Sequence, residues 1–210
     1  MSLLDEISQN LQLGKAKIVK ELVQKAIDEG NSPDTILKEG LLSGMDIIGE
    51  KFKKGEIYVP EVLIAARAMN AGTEILKPLL ASNGTKSSGK VIIGTVFGDL
   101  HDIGKNLVKM MIEGKGLEVI DAGVNVPAQK FIELAIQENA NIICCSALLT
   151  TTMTEFEKVV KAAKEAGIRD KVTIMIGGAP VTQSYCEKVA ADIYTTDAAS
   201  AADAAVAACS

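Results

Sequence analysis

One histidine occurs in the 210 residues, and its neighbours are the first chemical signal in the chain. His101 stands in Gly98-Asp99-Leu100-His101-Asp102-Ile103-Gly104, between two aspartates and two glycines. A carboxylate beside an imidazole fixes the ring's tautomer and raises its basicity, the arrangement that metal-bound histidines use. Asp99, two residues away, is spaced for that role. The plainer reading is that a lone histidine is structural or merely exposed. The four cysteines, Cys144, Cys145, Cys186 and Cys209, contain no CxxC and leave no zinc-ligand set with a single histidine. Cys144 and Cys145 read as small apolar residues of a buried strand. If His101 binds a metal, that metal must arrive in a cofactor that brings nearly all its other ligands.

Two more stretches carry polar or missing side chains. Ser146–Thr152 reads SALLTTT and offers four hydroxyls, from Ser146, Thr150, Thr151 and Thr152. Thr151 or Thr152 could cap the next helix. Set around Ala147, Leu148 and Leu149, however, the group reads as a wall for a polar ligand. Gly177-Gly178-Ala179-Pro180 lacks the side chains that would keep a bulky ligand off the backbone. Thr195-Thr196-Asp197 reads as a cap and at most a minor contributor. There is no G-x-G-x-x-G, no G-x-x-x-x-G-K-[ST], and no second histidine to pair with a Ser or Cys nucleophile.

These stretches share a position in the pattern. Val91–Phe97 is a near-continuous apolar run, as expected of a strand buried on both faces. Further strands are predicted at Leu117–Asp121, Ile142–Ser146, Thr173–Ile176 and Ile193–Thr195. Helices are predicted at Lys105–Glu113, Ala128–Glu138, Thr154–Glu165, Gln183–Ala190 and Ala198–Ala208. Five βα units predict a doubly wound, flavodoxin-like (Rossmann-like) parallel sheet. The His101 loop, the hydroxyl stretch and the glycine pair then all follow strand C-termini, where open α/β sheets bind ligands.

Residues 1–81 read as an all-α bundle. Helices are expected at Leu3–Leu11, Lys15–Glu29, from Pro33 to Gly55, and from Pro60 onward. Pro78 is expected to kink or terminate the last one. Residues 82–89, small and Gly/Ser-rich, read as a linker, and 90–210 as the α/β domain.

A net charge of −5 and a pI near 5.1 argue against a nucleic-acid surface, and 3% aromatics argue against base-stacking platforms. No apolar run approaches the roughly 18 residues of a membrane span. MSLLDEISQN lacks the marks of a signal peptide, so a cytoplasmic protein is expected.

Asp99-x-His101-x-x-Gly104, 41 residues, Ser146-x-Leu148, 28 residues and Gly177-Gly178 together resemble the signature of base-off/His-on cobalamin-binding proteins. Gly44-Met45, Gly49-Glu50-Lys51-Phe52 and Tyr58-Val59-Pro60-Glu61-Val62 are similar to the helical cap of methyl-transferring members, including methionine synthase. Free-standing corrinoid proteins of methylamine, methanol, glycine-betaine and methoxyarene methyltransferase systems resemble the whole chain. The resemblance implies a cobalamin/corrinoid cofactor with His101 as the metal ligand below cobalt. It implies that Asp99 accepts a hydrogen bond from the other ring nitrogen and that Thr152 ends the relay. Ser146, Leu148, Gly177 and Gly178 would make room for the displaced nucleotide tail, with Gly98, Asp102, Ile103, Gly104, Thr150 and Ala179 also in contact with the cofactor. Phe52 and Val59 would cover the methyl-bearing face, although both could equally be bundle core.

The implied function is a methyl carrier in anaerobic one-carbon metabolism. Its partners would be a substrate-specific methyltransferase, a second methyltransferase and a reductive activase, without nucleic acid or membrane. Alternatives are the small subunit of a carbon-skeleton mutase, which lacks this cap, and a cobalamin-dependent sensor, for which no further module is left over. A receiver domain using Asp99 or Asp102 would want a lysine after a late strand, and Gly177–Pro180 has none.

Overall fold

The apolar run at Val91 becomes the centre of a sheet. The structure is a computed structural model that describes residues 2–82 and 89–209. The expected linker, 82–89, lies almost wholly outside the described residues. These residues group into two compact units: residues 2–82 with Gly114–Gly116, and residues 89–113 with 117–209.

In the α/β unit the strands are β1 (Lys90–Val96), β2 (Glu118–Val126), β3 (Ile142–Ser146), β4 (Thr173–Gly177) and β5 (Ile193–Tyr194). All described pairings are parallel, in the order β2-β1-β3-β4-β5. This is the doubly wound architecture the alternating pattern predicts. Strand order reverses between β1 and β3, so the crevice beyond their carboxyl ends is where such a sheet receives ligands. Register lines up the ends: Thr95 pairs with Ser146, and Ser146 with Gly177.

The helices are α6 (Ile103–Glu113), α7 (Ala128–Gln137), α8 (Thr154–Glu165), α9 (Gln183–Lys188) and α10 (Ala198–Cys209). Side chains alternate between the faces of a strand. Ile92, Ile143, Ile174 and Ile176 join one core with Phe131 of α7 and Phe156 of α8. Gly94 sits under the Phe131 ring, where a Cβ would come within 2.9 Å of it. The alternate residues Ile93, Cys144 and Met175 face Leu107 and Val108 of α6 and Ala201 of α10.

Strand β2 runs five residues beyond the predicted end at Asp121. It lies at the sheet edge, so its outer positions tolerate Asp121, Gly123 and Asn125, and the apolar pattern fades before the strand does. Phe97 falls outside β1 and is half exposed.

The helical unit contains α1 (Leu3–Gln12), α2 (Ala16–Asp28), α3 (Pro33–Thr35), a π-helical segment (Ile36–Leu42), α4 (Ser43–Lys53) and α5 (Val59–Ser82). Ser2 and Asp5 form a reciprocal capping box at the start of α1. Ser32 and Pro33 start the third helical stretch as expected, with Ser32 accepting the N–H of Thr35. Ile7, Leu11, Val23, Leu41, Met45 and Leu76 are among its buried core. Gly72 allows close approach, since a Cβ there would lie 2.9 Å from Leu41. Of the kink or stop expected at Pro78, the stop does not occur, and α5 runs on to Ser82. The bond lost to the Glu74 carbonyl falls in the last turns, where few intrahelical bonds remain to be broken.

Candidate functional site

The β1–α6 loop is shaped by where its polar groups must go. Asp99 is fully buried, and five donors converge on its carboxylate. Oδ1 accepts the His101 N–H at 3.1 Å and lies 2.7 Å from His101 Nδ1. Oδ2 accepts the backbone N–H groups of Leu148 at 2.8 Å and Leu149 at 3.2 Å, and the Thr152 hydroxyl at 2.8 Å. Burial alone pushes the Asp99 carboxyl up. The hydrogen bonds from the His101 ring, the His101 and Leu148 N–H groups and Thr152 outweigh it, holding the group well below the usual carboxylate range.

A carboxylate only accepts hydrogen bonds, so Nδ1 of His101 carries the proton. In the neutral imidazole Nε2 then keeps its lone pair, and among the described residues no hydrogen bond to it is formed. The side chain is half exposed. The result is an oriented imidazole with one free nitrogen. Among the described residues no cluster of three or more His, Cys, Asp or Glu could hold a metal ion. A metal at this nitrogen must therefore come with its own ligands. Leu100, Leu148 and Leu149 on the loops and Ile103 at the start of α6 are exposed, an apolar surface that suits the flat face of a macrocycle.

Beside it a cleft of about 260 Å³ runs along the carboxyl ends of β3, β4 and β5. It is lined by Gly104 and Lys105 of α6, by Cys144 and Ser146, by Gly177, Gly178 and Ala179, and by Tyr194, Thr195 and Asp197. A Cβ on Gly177 would meet nothing within 4 Å, so this glycine leaves the cleft open. Gly178 differs: its φ is +137°, and a Cβ there would lie 1.8 Å from the Ala147 carbonyl oxygen. Burial pushes the Cys144 thiol up to about 12, so it lines the cleft as a neutral group. Asp197 accepts the Ser200 N–H and hydroxyl at the start of α10, as a cap does.

The four hydroxyls of Ser146–Thr152 part company. Ser146 lines the cleft and Thr152 turns inward to Asp99. Thr150 and Thr151 are exposed, and no side chain caps α8. Asp102 is exposed and accepts from Asn106, while Ile103 opens α6. Phe52 of α4 and Val59, the first residue of α5, belong to the helical unit and are half-buried there.

Four side chains at the site escape sequence reasoning. Thr95 donates to the His101 carbonyl, and Asn125 accepts the Gly98 N–H. Lys105 is buried and places its ammonium 2.6 and 2.7 Å from the two oxygens of Asp121. The signals were a single hydroxyl inside an apolar run, and a lysine where α6 should be apolar.

The description "B12 binding domain" matches twice, over residues 89–207 and over residues 3–77. The chain belongs to the B12-binding family. It is a corrinoid protein, and a cobalamin-type corrinoid is its cofactor. Trimethylamine corrinoid protein 1 of Methanosarcina acetivorans is 43% identical over 180 residues, which are 85% of this chain and 83% of that protein. The dimethylamine corrinoid protein of Methanosarcina barkeri is 42% identical over 200 residues, 95% of this chain and 93% of that one. Among solved structures, the methanol:cobalamin methyltransferase complex MtaBC from Methanosarcina barkeri matches with a TM-score of 0.88 and 32% identity. That match covers 98% of this chain and 80% of the other. No described helix is long and apolar enough to cross a membrane.

Two outcomes follow from the geometry. A carboxyl held below its ordinary value stabilises the fold above the unfolded-state pKa of about 3.9, and that contribution is lost as pH falls through and below it. Asp99→Asn should cost about 1–3 kcal/mol at pH 7 and lose less further stability on going to pH 3 than the wild type does. Urea midpoints of the cofactor-free proteins at both pH values check this, and parallel pH profiles would contradict it. Gly177→Val should leave the melting temperature nearly unchanged but weaken cobalamin binding about tenfold or more, roughly 1.4 kcal/mol. Gly178→Ala should damage the fold itself.

Proposed function

We propose that this chain carries a methyl group between two methyltransferases, with His101 as the lower axial ligand of its corrinoid. A bound corrinoid supplies a cobalt that accepts a methyl group and gives it up again. The observation that carries the reading is the 2.7 Å contact of Asp99 with Nδ1, which leaves Nε2 free at the edge of an exposed apolar surface. The 42–43% identity to trimethylamine and dimethylamine corrinoid proteins supports the same reading.

The residues divide the work. Asp99 holds the proton at Nδ1, so the imidazole offers an oriented lone pair, and Thr152 supports Asp99 from behind. An anionic partner also makes the imidazole a stronger donor. Gly104, Ser146, Gly177, Gly178 and Ala179 line the slot that receives the nucleotide tail. Gly98, Asp102, Ile103 and Thr150 border the macrocycle, and so does Leu148, which the resemblance put in the tail slot but which is not among the residues lining the cleft. We read residues 1–81 as a cap domain, 82–89 as its linker and 90–210 as the cobalamin-binding domain. In that reading Phe52 and Val59 shield the methyl-bearing face until a partner enzyme arrives.

The partners are a substrate-specific methyltransferase, a second methyltransferase that takes the methyl group on, and a reductive activase. The choice among methylamines and methanol rests with the first of these. We place the system in the cytoplasm. The four cysteines are free thiols, which fits a reducing compartment.

The test is transfer of isotopically labelled methyl from trimethylamine, dimethylamine or methanol. The cobalamin-loaded chain is reduced and mixed with the corresponding methyltransferase of the relatives' systems. Label should accumulate on the bound corrinoid, and His101→Ala should lower cofactor retention or labelling about tenfold or more, about 1.4 kcal/mol. Unchanged corrinoid content, spectrum and turnover in that variant would overturn the assignment.

A further inference from the structure

The loop that carries His101 is exposed along much of its length, yet its backbone is tied at each residue that matters. Asn125 at the end of β2 accepts the Gly98 N–H at 2.8 Å through its side-chain oxygen. The Asn125 N–H donates to the Asp99 carbonyl at 2.9 Å. Thr95 near the end of β1 donates its hydroxyl to the His101 carbonyl at 2.8 Å. With the two bonds to Asp99, His101 is held at its N–H, its carbonyl and Nδ1.

Both side chains are unusual where they stand. Thr95 is 1% exposed and is the one hydroxyl in the run Val91–Phe97. A buried hydroxyl is costly unless it is bonded, and the His101 carbonyl is its partner. Asn125 has φ +55°, a region that non-glycine residues seldom enter and that asparagine tolerates best. Its amide orientation follows from its partner, because the Gly98 N–H can only donate.

We infer that Thr95 and Asn125 are positioning residues that lock the ligand loop, so that His101 meets the corrinoid as a pre-set ligand. Both side chains bond the loop backbone rather than the imidazole nitrogens. They act on the backbone from β1 and β2, so the ligand's direction is tied to the sheet itself. A loop ordered in advance loses less freedom when its ligand binds, which strengthens binding without new contacts. The inference rests on the reading of His101 as axial ligand.

Thr95→Val keeps the shape and removes only the hydroxyl, and Thr95→Ser restores it. Asn125→Gly keeps the backbone conformation without the amide oxygen, and Asn125→Asp returns an acceptor. In the cofactor-free protein, Thr95→Val and Asn125→Gly should raise amide hydrogen exchange at Gly98 and His101 about tenfold or more, with β3 and β4 unaffected. Loaded with cobalamin, both should show a larger His-off fraction in the absorption spectrum, and the Ser and Asp variants should return toward wild type. Wild-type exchange in this loop and a wild-type spectrum in both variants would overturn the inference. Should Thr95→Val fail to fold, Asn125→Gly decides, because that side chain is at the surface. His101→Ala run in parallel separates the two readings. If it leaves the spectrum unchanged, the axial-ligand assignment fails, while the exchange data still decide the clamp.

Discussion

Everything at this site depends on one buried carboxylate. Asp99 is out of reach of water, and an anion there would be costly without partners. Its partners come from two loops that are far apart in sequence: the His101 ring and N–H from one, and Leu148, Leu149 and Thr152 from the other. Satisfying the carboxylate therefore closes the two loops onto each other. It also assigns the proton on the imidazole, and so determines which nitrogen is left for a metal. Fold stability and ligand chemistry rest on the same five donors.

The sheet makes that convergence possible. Parallel register places Thr95, Ser146 and Gly177 side by side across β1, β3 and β4. Loops that begin at one level finish together. Gly178 lets the β4 loop pack against the Ala147 carbonyl, and Gly177 keeps the space beside it clear. In the proposed reading a macrocycle over His101 and a tail in the cleft would both be served by this one edge. Lys105 of α6, itself buried, borders this edge with its ammonium paired to Asp121 of β2, so removing Asp121 would leave a buried charge short of its partner.

Much of this was legible in the residues. The alternation after Lys90 foretold the sheet, and three separated motifs foretold which loops would meet. The Asp99-x-His101 spacing announced the hydrogen bond. What could not be read were partners supplied by backbone or by weakly patterned strands. Leu148 and Leu149 contribute through their N–H groups, so their side-chain identities say nothing of it. Asn125 was hidden because β2 is an edge strand whose alternation fails at Asp121 and Gly123. Pro78 argued for a stop that does not occur, since a proline late in a helix forfeits only one bond there. The four hydroxyls looked alike as letters, and only the turn between β3 and α8 separates Thr152 from Thr150 and Thr151.

The central claim is that His101 donates Nε2 to cobalt, and the single histidine makes it directly testable. The chain would be produced with ¹⁵N-labelled histidine, loaded with cobalamin and examined by electron paramagnetic resonance in the Co(II) state. Labelling then marks one side chain alone. The account predicts nitrogen superhyperfine structure that changes from triplets to doublets on labelling. Triplets that persist would mean that another nitrogen, the cofactor's own base, sits below cobalt, and the account of this site would be wrong.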